Sequence, residues 1–429
     1  MQLVQDLDGA QSILPFFDYT NTDLSRKRLQ KLFSDVPATL AGVLERQETI
    51  KAFLANWPHL EHYNYQNIDF REAHAYSTQL LQQDPHEPQR LLGKQFTLLF
   101  QEKEVRQKKS KVVQLILLFD HLYSRFFSRL SKDSFPSSFQ PALHSFYTFI
   151  KQAEVQRFST FIKQNTFSNA QALEYEVKLQ HLAPGLLTAA WEFLFLFEAY
   201  FSVAKGIQKQ GFVFPQFQEG VFILKDFYHP LLKAPVKNSI ALTKSENVVL
   251  LTGPNMSGKS TLLKSISICV YLARLGMAVP AAACTLPFYA ALSININSKD
   301  NLESGYSHFM NELLSLKTAV KIAQAGKACF VVFDEIFKGT NADDAQALLL
   351  ETVQGLGSLK GSLFFISTHF LNLKEHQQIQ TPHVKKYHIP CALLDGKPVF
   401  TYQLAEGWTD VKIGKVLFEQ VGLSALLKK

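Results

Sequence analysis

Residues 253–260 read GPNMSGKS, placing two glycines, a lysine and a hydroxyl at the spacing G-x-x-x-x-G-K-S. That combination suits one task. Glycines let the backbone curl so that successive N–H groups turn inward, where they form a cradle for phosphate oxygens. Gly253, Pro254, Asn255, Met256, Ser257, Gly258, Lys259, Ser260 and Thr261 make up the expected cradle. Lys259 is expected to reach β- and γ-phosphates, and the Ser260 hydroxyl to help hold Mg²⁺. The alternative is a chance glycine turn. An apolar run at 248–251 precedes the loop and a helical pattern follows it, the context that marks a nucleotide loop.

A second apolar run, ACFVVF, ends in Asp334 and Glu335. Alone, such a pair also describes a solvated strand end. Beside a phosphate loop it supplies what a magnesium nucleotide needs: Asp334 at the metal, and Glu335 to orient or activate the attacking water. A third run, SLFFIST, leads to His369. That imidazole is placed to hydrogen-bond the γ-phosphate or the water, although a lone histidine there is otherwise a satisfied loop residue.

These groups need elements to hold them. Of the 20 glycines, four lie in residues 1–205 and sixteen in the rest. A glycine-poor first half with helical spacing, as in 111–130 with Leu115, Leu118, Leu122 and Phe126 on one face, predicts an all-helical domain. Further helix is expected around a break at Pro184-Gly185. After Gly211, short apolar runs (221–232, 247–253, 328–335, 362–368) alternate with helical patterns at 259–275, 308–325 and 343–356. That order predicts an α/β domain with a mostly parallel sheet covered on both faces. The expected division is 1–210 and 211–429.

Bulk properties narrow the class. The 429 residues are 47% hydrophobic and 19% charged, ordinary for a globular chain of two or three domains. The N-terminus lacks the basic stretch of a signal peptide. The apolar run 189–204 contains Glu192 and Glu198 and reads as a buried helix rather than a membrane span. Four scattered cysteines suggest neither zinc nor a redox pair, and a reducing cytoplasm fits them. The net charge of +7 sits mainly in residues 221–429, with 21 Lys/Arg against 15 Asp/Glu. It is compatible with nucleic acid but weak as an indication of it.

Taken together, LLTGPNMSGKST, DEIFKGTNADDA and STHF resemble the ATPase domain of the MutS family of DNA mismatch-repair proteins. SGYSHFMNEL (304–313), FYHPLL (227–232) and LDGKPVFTYQLAEG (394–407) resemble further family segments, so the likeness runs from about 215 to 422. The resemblance implies an ABC-type phosphate-loop ATPase domain that binds ATP and Mg²⁺ after a helical lever and core domain. It implies that Ser307 reaches across a homodimer to the partner's γ-phosphate, and that His229 helps to seat adenine. DNA and other mismatch-repair proteins are the implied partners, with no membrane. The helical half, through FDYTNTDLSRKRLQKLF and LERQETIKAFL, resembles the start of the family's lever more loosely.

Several positions depart from the family pattern. Lys338 stands for an arginine, Ser257 for a common glycine, and no arginine precedes Asp300. The expectation is a short form whose helical half holds levers without a full-sized clamp, without the mismatch-reading domain and without most of the C-terminal helix-turn-helix. ATP hydrolysis is the expected activity, and direct reading of mismatches is not. EKEVRQKKSK (102–111) reads equally as a phosphate-contacting clamp tip and as a solvated helix end. The rival expectation is a nucleotide-gated scaffold or binder of structured nucleic acid, with incidental hydrolysis. A transporter subunit is disfavoured by the form of the signature segment.

Overall fold

Where Pro184 and Gly185 interrupt the pattern, Gly185 adopts φ 80° and one helix gives way to the next. The computed structural model describes residues 3–4, 12–82, 102–296, 308–394, 397–409 and 414–427. It divides into two compact units. One comprises Phe17–Ser34 and Gln47–Gln208; the other comprises Met1–Phe16, Asp35–Arg46 and Lys209–Lys429.

The first unit is helical. Its chain runs through α1 (Asp23–Ser34), α2 (Leu40–Ala55, whose start belongs to the other unit), α3 (Asn67–Gln82), α4 (Glu102–Arg125), α5 (Gln140–Gln152), α6 (Val155–Lys163), α7 (Asn169–Gln180) and α8 (Leu186–Gln210). Ser168 and Gln171 close a capping box that starts α7. Leu115, Leu118, Leu122 and Phe126 are all buried, although α4 ends at Arg125 and Phe126 sits in the turn beyond. Phe53, Tyr63, Phe127, Phe146, Phe193 and Phe197 form an aromatic core with rings meeting edge-on or tilted. In α8, Glu198 is buried and accepts from Ser25 Oγ, Tyr65 Oη and Asn21 N, while burial raises its carboxyl above the usual range. Among the described residues α8 alone is long and apolar enough to cross a membrane, and 67% of that stretch is buried within the protein. At the start of α4, Arg106, Lys108 and Lys111 are exposed, and Lys109 lies over the Phe167 ring.

The second unit is built on a seven-stranded sheet. In spatial order its strands are β1 (Leu3–Val4), β7 (Ala291–Asn295), β8 (Cys329–Phe333), β9 (Leu363–Thr368), β5 (Val248–Thr252), β10 (Val384–His388) and β13 (Ala405–Glu406). Every pairing is parallel except β10 with β13. β5, β8 and β9 are buried along their whole length, as continuous apolar runs require when both faces are covered. On one face Leu250, Val331, Phe364 and Ile366 pack with Leu349 and Val353 of α11 (Ala342–Gly357). α9 (Lys259–Arg274) and α10 (His308–Gln324) complete the layers, α9 buried on nearly every side.

The run at 221–232 departs from expectation. It forms β3 (Phe222–Phe227), which joins β2 (Gln216–Phe217), β4 (Asn238–Leu242) and β6 (Ala283–Leu286) in a separate four-stranded sheet. β3 pairs antiparallel with β4 and β6 and alternates between buried and outward positions, so one of its faces meets solvent. Short apolar runs look alike in sequence whichever sheet they enter. A hairpin of β11 (Cys391–Leu394) and β12 (Lys397–Phe400) overlaps the start of the segment 394–407. All four cysteines are buried and unbridged.

Candidate nucleotide site

The sheet brings the expected groups to one edge. Thr252 pairs with Thr368, and Phe333 with Ile366, so the chain leaving β5, β8 and β9 emerges side by side. Ligands of open α/β sheets bind at these carboxyl ends. Gly253 has φ 157°, and a Cβ there would lie 2.9 Å from Ser257 Oγ. Gly258 has φ 96° and caps α9, with Tyr402 so close that a Cβ would stand 3.1 Å from its ring. The opening N–H groups of α9 and its dipole therefore face the cleft that an anion would enter.

Lys259 is 5% exposed, and its ammonium donates to the carbonyl oxygens of Gly253 (2.9 Å) and Pro254 (3.3 Å). Burial lowers its pKa, opposed by the charges of Glu335 and Asp334. Ser260 Oγ donates to one oxygen of Asp334, and Ser367 Oγ donates to the other. Ser367 also accepts from the Glu335 backbone N–H at 2.9 Å. Glu335 has φ 56°; its carboxylate stands 3.7 Å from Lys259 Nζ and 3.0 Å from Lys338 Nζ. Burial pushes that carboxyl up, but Lys338, Lys259 and the nearby His369 together hold it below the usual range.

These residues open onto a cleft of about 840 Å³. Asn255, Met256, Gly258, Thr261 and both acids line it, together with Phe227, His229, Val236 and Tyr402. Met256, at φ 70°, is 73% exposed. His229 is half-buried, its Nδ1 has no partner among the described residues, and burial lowers its pKa. Buried Ser257 is likewise without a side-chain partner. His369 lies exposed just past β9 against Phe370 (ring centroids 4.4 Å apart), near enough to influence Glu335 but outside the cleft lining. Ser307 and Asp300 lie outside the described residues, as does the side chain of Lys103.

Three contributors were not singled out in the sequence. Ser367 was visible beside His369, but only the fold shows it bridging both acids. Tyr402 belongs to the segment 394–407, noted only for its resemblance, and Asn238 binds the backbone on both sides of Gln403 to hold it in place. Lys338 was noted as a departure, not as a partner of Glu335.

The donor set fits a magnesium polyphosphate. One hydroxyl and one carboxylate are hard oxygen ligands, and Mg²⁺ bound largely through phosphates takes only one or two carboxylates from protein. No cluster of three His, Cys, Asp or Glu residues suggests another metal among the described residues.

A parallel sheet with helices on its faces defines an α/β unit, and its strand ends bring together a glycine-bounded loop, a Lys-Ser helix start and an Asp-Glu pair. Residues 249–425 match the family model described as MutS domain V. The chain is 33% identical over 245 residues to the DNA mismatch repair protein MutS of Bacillus cytotoxicus, covering 55% of this chain and 26% of that protein. MutS of a Geobacillus species is 32% identical over 233 residues (53% and 27%), and MutS of Bacillus licheniformis 33% over 213 (48% and 24%). The chain thus spans about a quarter of the length of these relatives.

Proposed function

We propose that the protein is a MutS-like ATPase in which residues 211–429 hydrolyse ATP, and that the nucleotide state sets how the helical residues 1–210 engage DNA. The observation that carries this reading is the joining of Ser260, Asp334, Ser367 and Glu335 in one hydrogen-bonded set beside Lys259. Ser260 and Asp334 would hold Mg²⁺, which would supply charge neutralisation at the phosphates. Lys259 and the opening turn of α9 bind the phosphate chain. Glu335, ionised at neutral pH as a glutamate ordinarily is, accepts a proton from the attacking water. His229, Tyr402 and Phe227 form the wall against which a flat base packs. His369 acts at the γ-phosphate side, and Ser307 completes the site from the second subunit of a homodimer.

The test is Glu335→Gln. We expect ATP to bind with little change while turnover falls by on the order of 10²–10⁴-fold, the range for loss of a general base. Hydrolysis at the normal rate removes the assignment.

One observation favours the second reading, a nucleotide-gated scaffold with slow hydrolysis. Glu335 is already engaged by two lysines, which lowers its basicity. Salt-dependent binding to homoduplex, mismatched and branched DNA, with turnover measured in parallel, separates the two. Tight binding to one DNA structure that changes with nucleotide supports the first reading. No DNA binding at low salt in any nucleotide state assigns the second.

A further inference from the structure

We propose that Glu312 is a positioning residue for Glu335, holding the turn that carries this carboxylate against α10. The inference rests on the reading of Glu335 as the base. It concerns how that base is set.

The turn from Glu335 to Gly339 is strained. Glu335 and Phe337 have φ 56° and 69°, in the left-handed region that residues with a side chain avoid. Such a turn persists only where its surroundings over-determine it, and here two elements do so. From β9, Ser367 accepts the Glu335 N–H at 2.9 Å. From α10, Glu312 Oε2 accepts the Phe337 N–H, also at 2.9 Å. Glu312 is only 6% exposed, so its hydrogen bond is made where water competes little.

Packing locks the same seat. Phe337 is 1% exposed, and its ring meets Phe309 edge-on at 6.3 Å. Gly339 lies against Phe309 so closely that a Cβ would stand 2.7 Å from the Phe309 Cβ. Phe309 and Glu312 are three residues apart and share one face of α10, so they grip the turn together. Both fall within the segment 304–313 singled out in the sequence, of which residues 308–313 are described.

The test compares Glu312→Gln, which keeps a side-chain oxygen to accept the Phe337 N–H, with Glu312→Met, similar in length but without it. Both are assayed in the full chain for kcat, for KM and for binding of mant-ADP with Mg²⁺. We expect E312M to lower kcat by on the order of 10–10²-fold, the penalty for a misplaced reacting group, with mant-ADP affinity within about threefold. E312Q should recover most of the lost kcat. Hydrogen exchange on the unaltered protein adds a measurement independent of how the variants fold: the Phe337 amide should be protected to a degree that changes when nucleotide binds. Normal kcat in E312M, no recovery in E312Q, or a Phe337 amide that exchanges like an open loop each overturn the proposal. E335Q serves as the control. If it is slow while E312M is normal, only the role of Glu312 falls; if it hydrolyses normally, the reading of the site falls as well.

Discussion

Asp334 is held on both carboxylate oxygens by serine hydroxyls, one from the first turn of α9 and one from a neighbouring strand. Ser367 should therefore matter more than a buried serine beside the site ordinarily would. Ser367→Ala frees one Asp334 oxygen and the Glu335 N–H together, so we expect turnover to fall by about 10–10²-fold and the Mg²⁺ concentration for half-maximal rate to rise. A magnesium titration at saturating ATP reads both. The Glu335 carboxyl lies below its usual range, so the stability it adds is fully present above the unfolded glutamate value of about 4.3 and is lost as pH falls through the lower folded value, while its proposed action as a base follows the folded value alone. Lys338→Met removes a hydrogen bond that lowers it. The acid limb of the rate profile should consequently move to higher pH, and the more basic carboxylate should raise turnover at neutral pH; an unmoved limb would show that Lys338 does not tune the base.

At the scale of elements, the three buried strands carry the site because their residues have no solvated face to choose. Phe364 in β9 is fully buried within the cluster that joins the sheet to α11. Phe364→Ala should cost about 3–5 kcal/mol in urea unfolding, as cavities of that size do. Turns are as constrained as strands. Gly276, which follows α9, has φ 75°, and a Cβ there would stand 2.7 Å from the Val43 carbonyl oxygen. Gly276→Ala meets both a backbone penalty of about 1–3 kcal/mol and a clash, so its unfolding midpoint should drop clearly. By contrast, Gly361→Ala meets no atom within 4 Å and bears only the strain of φ 81°, so it should lose less. Equal losses would mean that the clash near Val43 is relieved without cost.

At the scale of the molecule, the proposed function makes turnover a property of two chains. ATP hydrolysis per subunit should rise with protein concentration as dimers form. A strictly monomeric protein at full turnover with ATP and magnesium present would exclude the shared site.

Much of this was legible in the order of residues because it depends on local patterns. Loop spacing, the buried parallel strands and the helices at 259–274, 308–324 and 342–357 follow from glycine placement and apolar runs, which constrain backbone and burial within a few neighbours. The same patterns placed Lys259 and Ser260 at a helix start and Asp334 and Glu335 at a strand end. Tertiary structure alone decided which sheet β3 enters, since an apolar run carries no mark of its partner strand. It alone joined Ser367, Glu312, Phe309 and Tyr402 to the site, because each acts through a residue tens of positions or more away in the chain. Spacing specifies what a segment can form; long-range pairing and packing select what it touches.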